Sequence, residues 1–384
     1  MCPVSFPYGM AATQRVRHYI DALQNSDHEV NIVIPAFPDW PGQKAAGSYQ
    51  GSQYVCLETS RKKHLVGLLM MPFRQLRGCI HLWRWKKNGQ NSLYIYDGIN
   101  LDNLAIVVFA RILKYKVILD LVEDYGLQVE KSSLARRLKL KSQLILERFL
   151  PGLIDGLIVI SSYLNQRFAY VSTRGIPTIL IPIAARITEN PSKTENTQPW
   201  VTTFVYSGTF GYKDHVNGLI EAFERLAASY DNCQLLLSGK GSNRENILKL
   251  VKSDRIKYVG YLDDQQFHEF LNNADVLCMT RNNSPYANAG FPFKLGEYLA
   301  TGKPVIASNV GDVDQYLVHQ EDAMLVEPEN IDELAAAMKY VMDHPDQAKQ
   351  IGKNGLEKCK QHFDASKNGL MLVKLIDELF EQDR

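Results

Sequence analysis

Two opposite charges, Lys294 and Glu297, stand three residues apart in a stretch that turn-forming residues bound on both sides. Pro292 can begin a helix without losing a hydrogen bond and Gly302 can end one in a left-handed cap, which predicts a short helix over residues 292–301. The free N–H groups at a helix start and the ammonium of Lys294 suit a phosphate, and the Glu297 carboxylate could accept two hydrogen bonds from a sugar diol. The alternative is a surface ion pair on an ordinary amphipathic helix.

A loop that follows a predicted strand at residues 203–207 offers a second place for an anion. Gly208 and Gly211 would let the backbone come close to a ligand, and Lys213 would project from the loop as a point charge for phosphate. Because glycine loops often follow strands, this pattern alone does not identify the ligand.

Length and composition limit the classes of protein that fit the sequence. The chain has 384 residues, too many for one ordinary core, which predicts two domains. Its 43 basic and 42 acidic side chains balance, so the net charge gives no reason to expect a nucleic-acid partner. The six cysteines show no CxxC or Cys/His spacing, which predicts reduced thiols and no metal site in a cytoplasmic protein. No run of about eighteen uncharged apolar residues occurs, so we expect a soluble or peripherally attached protein.

Short apolar runs of strand type alternate with helical patterns along both halves of the chain. This alternation predicts an α/β protein with two Rossmann-like, doubly wound parallel-sheet domains that face each other across a cleft. The polar segment 188–199 is typical of a linker between an N-terminal domain at 1–187 and a C-terminal domain at 200–363. We expect the remaining helix, 364–384, to pack back on the N-terminal domain.

The first strand of the N-terminal sheet has few residues available to it. We expect a strand before the turn at Gly9, but only residues 1–6 are available to form it. Either this strand is short or the sequence begins downstream of its true start.

Acidic residues stand at the carboxyl ends of predicted N-terminal strands, where parallel sheets bind ligands. Asp124 is the candidate acid or hydrogen-bond partner for an acceptor, and Glu123 is its rival. Either residue could instead be only a loop cap.

Residues 61–87 form a basic segment with eight Lys or Arg and no acid. Four of its apolar side chains follow helical spacing: Phe73, Leu76, Ile80 and Trp83. A basic amphipathic helix with Trp suits an anionic membrane surface or a phosphate-bearing acceptor. In the alternative, the apolar side chains pack on the sheet and the basic ones are only solvated. A second basic cluster at 136–141 favours membrane contact.

Several segments of the C-terminal half occur in a characteristic order: TFVYSGTFGYKDH, LLLSGKGSN, IKYVGYLDDQQF and GFPFKLGEYLATGKPVIASNVGDV. In this order they resemble the donor-binding domain of the GT-B glycosyltransferases, specifically glycosyltransferase family 4, over about residues 204–363. The resemblance is weaker in the N-terminal half, where Gly9 and the segments HEVNIVIP and SSYLNQRF still fit.

The resemblance implies a retaining hexosyltransferase that moves a sugar from a nucleoside diphosphate sugar to a glycan or lipid-linked acceptor, in cell-surface polysaccharide or glycolipid synthesis. The nucleotide sugar is a co-substrate, and we expect no bound cofactor and no metal. Glu297 matches the glutamate that holds the ribose diol, and Lys213 matches the basic residue at the diphosphate. We expect catalytic roles for Asp124, Lys213 and Glu297, and donor contacts from Gly9, Gly208, Lys213, Arg281, Gly290, Phe291, Lys294 and Glu297.

The sequence departs from the family at two positions. The first glutamate of the family's pair would fall at Ala289, and the common arginine of the phosphate loop would fall at Thr209. Arg281, at the end of a predicted strand, is our candidate for the missing cation. These losses leave open a non-catalytic homologue that serves as partner subunit or sugar-nucleotide binder, and an epimerase shares the architecture. A Rossmann dehydrogenase is disfavoured because no GxGxxG follows a first strand.

Overall fold

The computed structural model describes residues 1–2, 5–35, 43–58, 64–127, 134–187, 201–241 and 243–381. The chain divides into two compact units: unit 1 is Met1–Pro182 with Ser366–Arg384, and unit 2 is Ile183–Ala365. The segment predicted to be the linker, 188–199, lies outside the described residues. Its role therefore stays a prediction.

Unit 1 alternates strands and helices. Its strands are β1 (Asn31–Ile34), β2 (Ala46–Tyr49), β3 (Ser52–Cys56), β4 (Ser92–Tyr96), β5 (Lys116–Leu121), β6 (Gly156–Val159) and β7 (Thr178–Leu180). Its helices are α1 (Ala11–Asn25), α2 (His64–Leu69), α3 (Met71–Trp85), α4 (Leu104–Ile112), α5 (Leu134–Glu147), α6 (Leu150–Leu153), α7 (Ser162–Arg167) and α8 (Ala169–Ser172). β4, β5, β6 and β7 form a parallel sheet in that order, while β3 pairs parallel with β1 and antiparallel with β2.

The hairpin of β2 and β3 was not expected from the sequence. Its turn is formed by Gln50 and Gly51, whose φ angles are +47° and +85°. Two consecutive positive φ angles are characteristic of tight hairpin turns, but Gln is an unusual residue at the first position. The turn is therefore hard to recognise in the sequence.

The first two residues lie between the two sheets of unit 1. The Cys2 N–H donates to the Val33 carbonyl at 3.0 Å, and the Tyr96 N–H donates to the Met1 carbonyl at 3.1 Å. The Met1 amino group donates to the Tyr94 carbonyl at 2.5 Å. Met1 and Cys2 thus hydrogen-bond to both β1 and β4, in the region where the sequence predicts a first strand.

A buried ion pair joins α1 to β5 in the core of unit 1. Arg15 contacts both carboxylate oxygens of Asp120, at 2.8 and 3.0 Å, and the two side chains are 2% and 0% exposed. The same guanidinium donates to the carbonyls of Ile181 and Pro182, and the Tyr94 hydroxyl donates to the carboxylate. Because the charges are paired and further hydrogen-bonded, this pair can be buried without a large net cost.

The predicted apolar stripe of helix α3 faces away from the rest of unit 1. Its buried residues are Gln75, Gly78 and Leu82. A Cβ on Gly78 would lie 2.4 Å from Ile106 Cδ1, so glycine lets α3 approach α4 closely. Phe73, Leu76, Ile80 and Trp83 are all exposed. The alternative in which these four side chains pack on the sheet is therefore wrong.

Unit 2 is a doubly wound sheet with helices. Its strands are β8 (Thr202–Thr209), β9 (Cys233–Lys240), β10 (Ile256–Tyr258), β11 (Val276–Met279), β12 (Val305–Ser308) and β13 (Met324–Val326). Its helices are α9 (Val216–Ala227), α10 (Arg244–Leu248), α11 (Asp264–Asn272), α12 (Pro285–Ala289), α13 (Phe293–Leu299), α14 (Val313–Tyr316), α15 (Ile331–Asp343) and α16 (Pro345–Lys358). All strand pairs are parallel, in the order β10-β9-β8-β11-β12-β13.

The helix predicted at 292–301 is α13, which is shorter at both ends. Pro292 precedes its first residue, and Gly302 has a φ of +69°, as a left-handed helix cap requires. Leu295, Tyr298 and Leu299 have no exposed surface, so the predicted apolar face is buried in unit 2.

The last helix, α17 (Ala365–Glu381), follows a π-helical turn at Cys359–Phe363 and packs in unit 1. Leu372, Leu375 and Ile376 join Tyr19 and Ile118 in one buried cluster. None of the six cysteines, all of which lie among the described residues, forms a disulfide bond. None of the described helices is both long enough and apolar enough to cross a bilayer.

Removing the Asp120 carboxylate is expected to destabilise unit 1 by about 3 to 5 kcal/mol, because Arg15 would stay buried without its partner. Urea unfolding of Asp120→Ala, followed by circular dichroism, measures this loss. The control is Glu29→Ala, which removes the exposed partner of Lys87 in the same unit and should leave the unfolding curve nearly unchanged. Similar curves for the two variants would show that the buried pair does not stabilise unit 1.

Candidate functional site

Four charged side chains meet where the strand order of unit 2 reverses. β9 and β10 lie on one side of β8, and β12 and β13 lie beyond β11 on the other, so β8 and β11 flank the switch point. Doubly wound sheets bind ligands at the carboxyl ends of such strands. Lys213 and Asp214 follow β8, Arg281 follows β11, and Lys294 comes from α13. We call these four residues the Asp214 cluster.

Asp214 contacts more members of this cluster than any other residue and is only 1% exposed. Its Oδ1 lies 3.2 Å from Lys294 Nζ and 3.9 Å from Arg281 Nε. Its Oδ2 accepts hydrogen bonds from the Thr209 hydroxyl and from the Gly211 N–H. Burial by itself raises the pKa of Asp214, but the neighbouring Lys294 and Arg281 outweigh burial and lower it to about 2. The carboxylate is therefore ionised at neutral pH.

The sequence did not single out Asp214. An aspartate just before a helix is most often a cap or a turn residue, so its type and position carry no signal of a buried ion pair. Its partners Arg281 and Lys294 are far from it in the sequence. Only the fold brings the three together.

Lys294 points into unit 2, which corrects the alternative of a surface pair with Glu297. Its Nζ donates to the Tyr206 hydroxyl at 2.7 Å and lies 4.0 Å from the centroid of that ring. Burial lowers the pKa of Lys294 to about 8, against the opposing effect of Asp214. A Cβ on Gly208 would lie 2.5 Å from Lys294 Nζ, so this glycine makes room for the ammonium.

Arg281 and Lys213 complete the positive charge of the Asp214 cluster. Arg281 is 8% exposed, and its Nε donates no hydrogen bond to any described residue. Its backbone N–H donates to Ser308 Oγ at 3.0 Å, which fixes the residue at the end of β11. Lys213 Nζ lies 4.6 Å from the centroid of the Tyr286 ring. Lys294 and Arg281 thus pair with one carboxylate, and an anion would balance the charge that Asp214 leaves uncompensated.

Glu297 lies one turn beyond Lys294 on α13 and is half-buried. Its carboxylate accepts no hydrogen bond from the part of the chain that the structure describes. Burial raises the pKa of Glu297 to about 7, although Lys294 lowers it. The next residue, Tyr298, holds the helix against β8 by donating to the Ser207 carbonyl at 2.9 Å. A rigid helix therefore carries a carboxylate whose acceptor capacity is available to a ligand.

In the turn before α13, the Phe291 side chain is part of the core, and the backbone of Gly290 lies close to Gly311. Phe291 is 5% exposed and packs its ring against Tyr316 and Phe363, so only its backbone is available for a ligand. A Cβ on Gly311, whose φ is +57°, would lie 2.7 Å from the carbonyl oxygen of Gly290. Because α13 has only seven residues, side chains and not its dipole supply most of the positive charge.

Two predicted site residues, Gly9 and Asp124, belong to unit 1. A Cβ on Gly9 would lie 1.9 Å from Thr13 Oγ1, so a larger residue cannot fit before α1. Asp124 is 2% exposed; it pairs with Arg167 Nε at 3.1 Å and accepts from the Tyr163 hydroxyl at 3.0 Å. These contacts favour the loop-cap alternative for Asp124, and its catalytic role stays a prediction.

Within the described ranges, no group of three or more His, Cys, Asp or Glu side chains is arranged to hold a metal ion. Ala289 is 1% exposed, so the position of the family's first glutamate holds a buried methyl group.

Residues 188–358 match the family described as glycosyl transferases group 1. The glycogen synthase of Mycobacterium tuberculosis is 23% identical over 224 residues, which are 55% of this chain and 51% of that protein. The chain thus spans about half the length of this curated relative. The family match at residues 188–358 covers most of unit 2, where the Asp214 cluster lies.

Two solved structures share the fold of this chain. Sucrose-phosphate synthase from Thermosynechococcus elongatus has a TM-score of 0.75 at 19% identity, over 97% of this chain and 94% of that one. Anabaena HepE in complex with UDP and glucose has a TM-score of 0.72 at 14% identity, over 98% of both chains. The predicted α/β, GT-B fold with two Rossmann-like units is confirmed, as is the resemblance to GT-B glycosyltransferases.

Replacing Glu297 by glutamine is expected to stabilise the protein at high pH. The ordinary pKa of glutamate, 4.5, rises to about 7 in the folded state, so the folded state binds the proton more tightly. The contribution of Glu297 to stability is thus complete below pH 4.5 and is lost as the pH rises through about 7. Above that pH, Glu297→Gln should unfold about 2 to 4 °C higher than the wild type for each kcal/mol gained.

The measurement is thermal unfolding of both proteins at about pH 4.5 and about pH 8. Glu269→Gln, which changes an exposed glutamate of α11, is the matched control and should show no gain at either pH. A Glu297→Gln protein that melts like the wild type at both pH values would show that ionisation of Glu297 does not destabilise the folded protein.

Proposed function

We propose that the protein is a glycosyltransferase that moves a hexose from a nucleoside diphosphate sugar to a glycan or lipid-linked acceptor. The observation that carries this proposal is the Asp214 cluster, where Lys294 and Arg281 share one carboxylate at the switch point of unit 2 and Arg281 Nε donates to no described residue. A diphosphate would bring two negative charges to this place. It would balance the cluster, and it would give Arg281 an acceptor for its Nε.

The donor's parts have separate partners in this proposal. Arg281 and Lys213 bind the diphosphate, and Lys294 adds positive charge while it holds Asp214 and Tyr206 in place. Glu297 accepts hydrogen bonds from the ribose diol, for which its carboxylate has free lone pairs. The backbone of Gly290 and Phe291 and the loop at Gly208 border the sugar and phosphate. Gly9 and Asp124 of unit 1 are proposed for the diphosphate turn and the acceptor.

The reaction breaks the bond between the sugar's anomeric carbon and the diphosphate oxygen, and the electron pair leaves with the diphosphate. An acceptor hydroxyl forms the new bond to that carbon, and its proton passes to the oxygen of the departing diphosphate. Asp214 already fixes Lys294 and Arg281, so these two cations stabilise the developing charge without reorganising. We propose retention of configuration at the anomeric carbon, as in the family that the sequence resembles.

The biological setting belongs to the same proposal. Cell-surface polysaccharide or glycolipid synthesis at the cytoplasmic face of a membrane would supply both the nucleotide sugar and an acceptor. The support is the match of residues 188–358 to glycosyl transferases group 1 and the fold shared with a structure that holds UDP and glucose.

A thermal-shift panel of nucleoside diphosphates and their sugars tests the donor site. A ligand that binds only the folded protein raises its melting temperature, and at about a hundred times its Kd it stabilises by about 2.7 kcal/mol. We expect one nucleotide base to give a clear shift. If no nucleotide of the panel changes the melting temperature, the proposed donor site is wrong.

Arg281→Ala is expected to weaken binding of that nucleotide by about tenfold to a hundredfold, because one charge-assisted hydrogen bond is lost. Titration calorimetry measures the change. The control is Lys349→Ala, which removes an exposed positive charge from α16 and should bind like the wild type. Unchanged affinity in Arg281→Ala would show that another group replaces the family's missing arginine.

One observation favours a second function, a sugar-nucleotide binder without catalysis: position 289 holds a buried alanine in place of a carboxylate. The two functions are distinguished by measuring how fast free nucleoside diphosphate is released from the donor, with and without a panel of sugar and lipid acceptors. A transferase releases it faster when its acceptor is present. A protein that binds the donor but releases no product with any acceptor is the non-catalytic alternative.

A further inference from the structure

The exposed side of helix α3 is more apolar than its buried side. At about 100° per residue, Phe73, Leu76, Ile80 and Trp83 occupy an arc of about 80° on the helix. The buried residues Gln75, Gly78 and Leu82 lie on the opposite side. An ordinary surface helix has the reverse arrangement, with its apolar stripe against the core.

The apolar side chains of this region are well exposed. Phe73, Leu76 and Trp83 are 61%, 58% and 63% exposed, and Ile80 is 39% exposed. Leu69, at the end of the adjoining α2, is 69% exposed. We call these five residues the α3 apolar face. Contiguous exposed apolar residues on one helix pair usually mark a binding surface, since water contact with them is unfavourable.

Basic side chains border the α3 apolar face. Arg77 and Arg84 lie at one edge of its arc, and Lys86 follows the end of the helix. Arg84 and Lys86 are exposed and form no ion pair with any residue that the structure describes. The Arg77 guanidinium donates to the Leu57 carbonyl at 2.6 Å, a contact that leaves its charge uncompensated.

Helix α5 extends the basic surface. It contacts α2, and its first turns carry exposed Arg137, Leu138 and Lys141. Two helices of unit 1 thus present the same combination of apolar and basic side chains. No acidic residue occurs between 61 and 87, so nothing within that segment neutralises the field.

We propose that this face docks unit 1 on a bilayer that contains anionic phospholipid. The acyl region accepts Phe, Leu and Ile side chains, Trp83 lies at the headgroup level, and the Arg and Lys side chains meet lipid phosphates. A second copy of the chain would fit less well, because two basic faces would repel each other. The α3 helix, 15 residues and about 22 Å long, lies in the membrane plane.

The inference deepens the proposed function, since a lipid-linked acceptor is held at a membrane surface. Its physical basis is independent of the donor site. Vesicle binding is measured without nucleotide, and the nucleotide thermal shift is measured without lipid. Either proposal can therefore fail while the other holds.

The test is co-sedimentation of the full-length protein with two kinds of vesicle. One is phosphatidylcholine alone, and the other contains about a third phosphatidylglycerol. We expect the wild type to bind the anionic vesicles, to bind the neutral ones at least about tenfold more weakly, and to be released by high salt. Failure of the folded wild type to bind anionic vesicles would overturn the proposal.

Two variants separate the contributions to binding. Phe73→Ser/Trp83→Ser removes apolar contacts with the bilayer and should weaken binding to anionic vesicles by at least about tenfold. Arg84→Glu/Lys86→Glu reverses two charges and should also weaken this binding by at least about tenfold, since each positive charge lost costs about fivefold. The control is Leu370→Ser/Lys374→Glu, an exposed apolar and basic pair on α17 of the same unit, which should bind like the wild type.

All three variants should keep the wild-type melting temperature, because the substituted side chains are exposed. Wild-type vesicle binding by both α3 variants would overturn the proposal, and so would an equal loss in the α17 control. A concentration-dependent dimer in sedimentation velocity that Phe73→Ser/Trp83→Ser abolishes would assign the face to a second copy instead.

Discussion

The charged site of unit 2 depends on one buried carboxylate, that of Asp214. Without it, the ammonium of Lys294 and the guanidinium of Arg281 could not both stay buried, because each would lose its nearest negative charge. With it, their positions are fixed in the absence of ligand. The carboxylate compensates only part of the surrounding charge, so the folded protein is prepared for an anion and does not need to rearrange to receive it.

Close backbone approach at the ends of β8 and β9 makes this arrangement possible. A Cβ on Gly239, whose φ is +134°, would lie 1.7 Å from the Gly208 carbonyl oxygen, so no other residue fits there. Gly208 in turn leaves space for Lys294 Nζ. In the sequence, Gly208 resembles part of a loop that approaches a ligand. In the fold, its missing side chain leaves room for the Lys294 ammonium at the edge of the sheet.

The two units treat buried charge differently. In unit 1, Arg15 and Asp120 satisfy each other, and backbone carbonyls and a tyrosine hydroxyl complete their hydrogen bonds. In unit 2, Lys294 and Arg281 share one carboxylate, and Arg281 Nε has no hydrogen-bond acceptor in the described chain. A fully compensated pair is the pattern of a structural contact, and an incompletely compensated cluster is the pattern of a binding site.

Local patterns in the sequence determined much of this protein. The alternation of apolar runs and helical spacing predicted the parallel sheets, and Pro292 with Gly302 predicted α13, because such signals act within a few residues. Helical spacing also found the apolar stripe of α3, but a helix wheel does not say which side meets a neighbour. Only the tertiary structure decided that this stripe is exposed. It also decided that Lys294 meets Asp214, a contact between residues 80 positions apart, because strand order and packing bring distant segments together and no local signal records them.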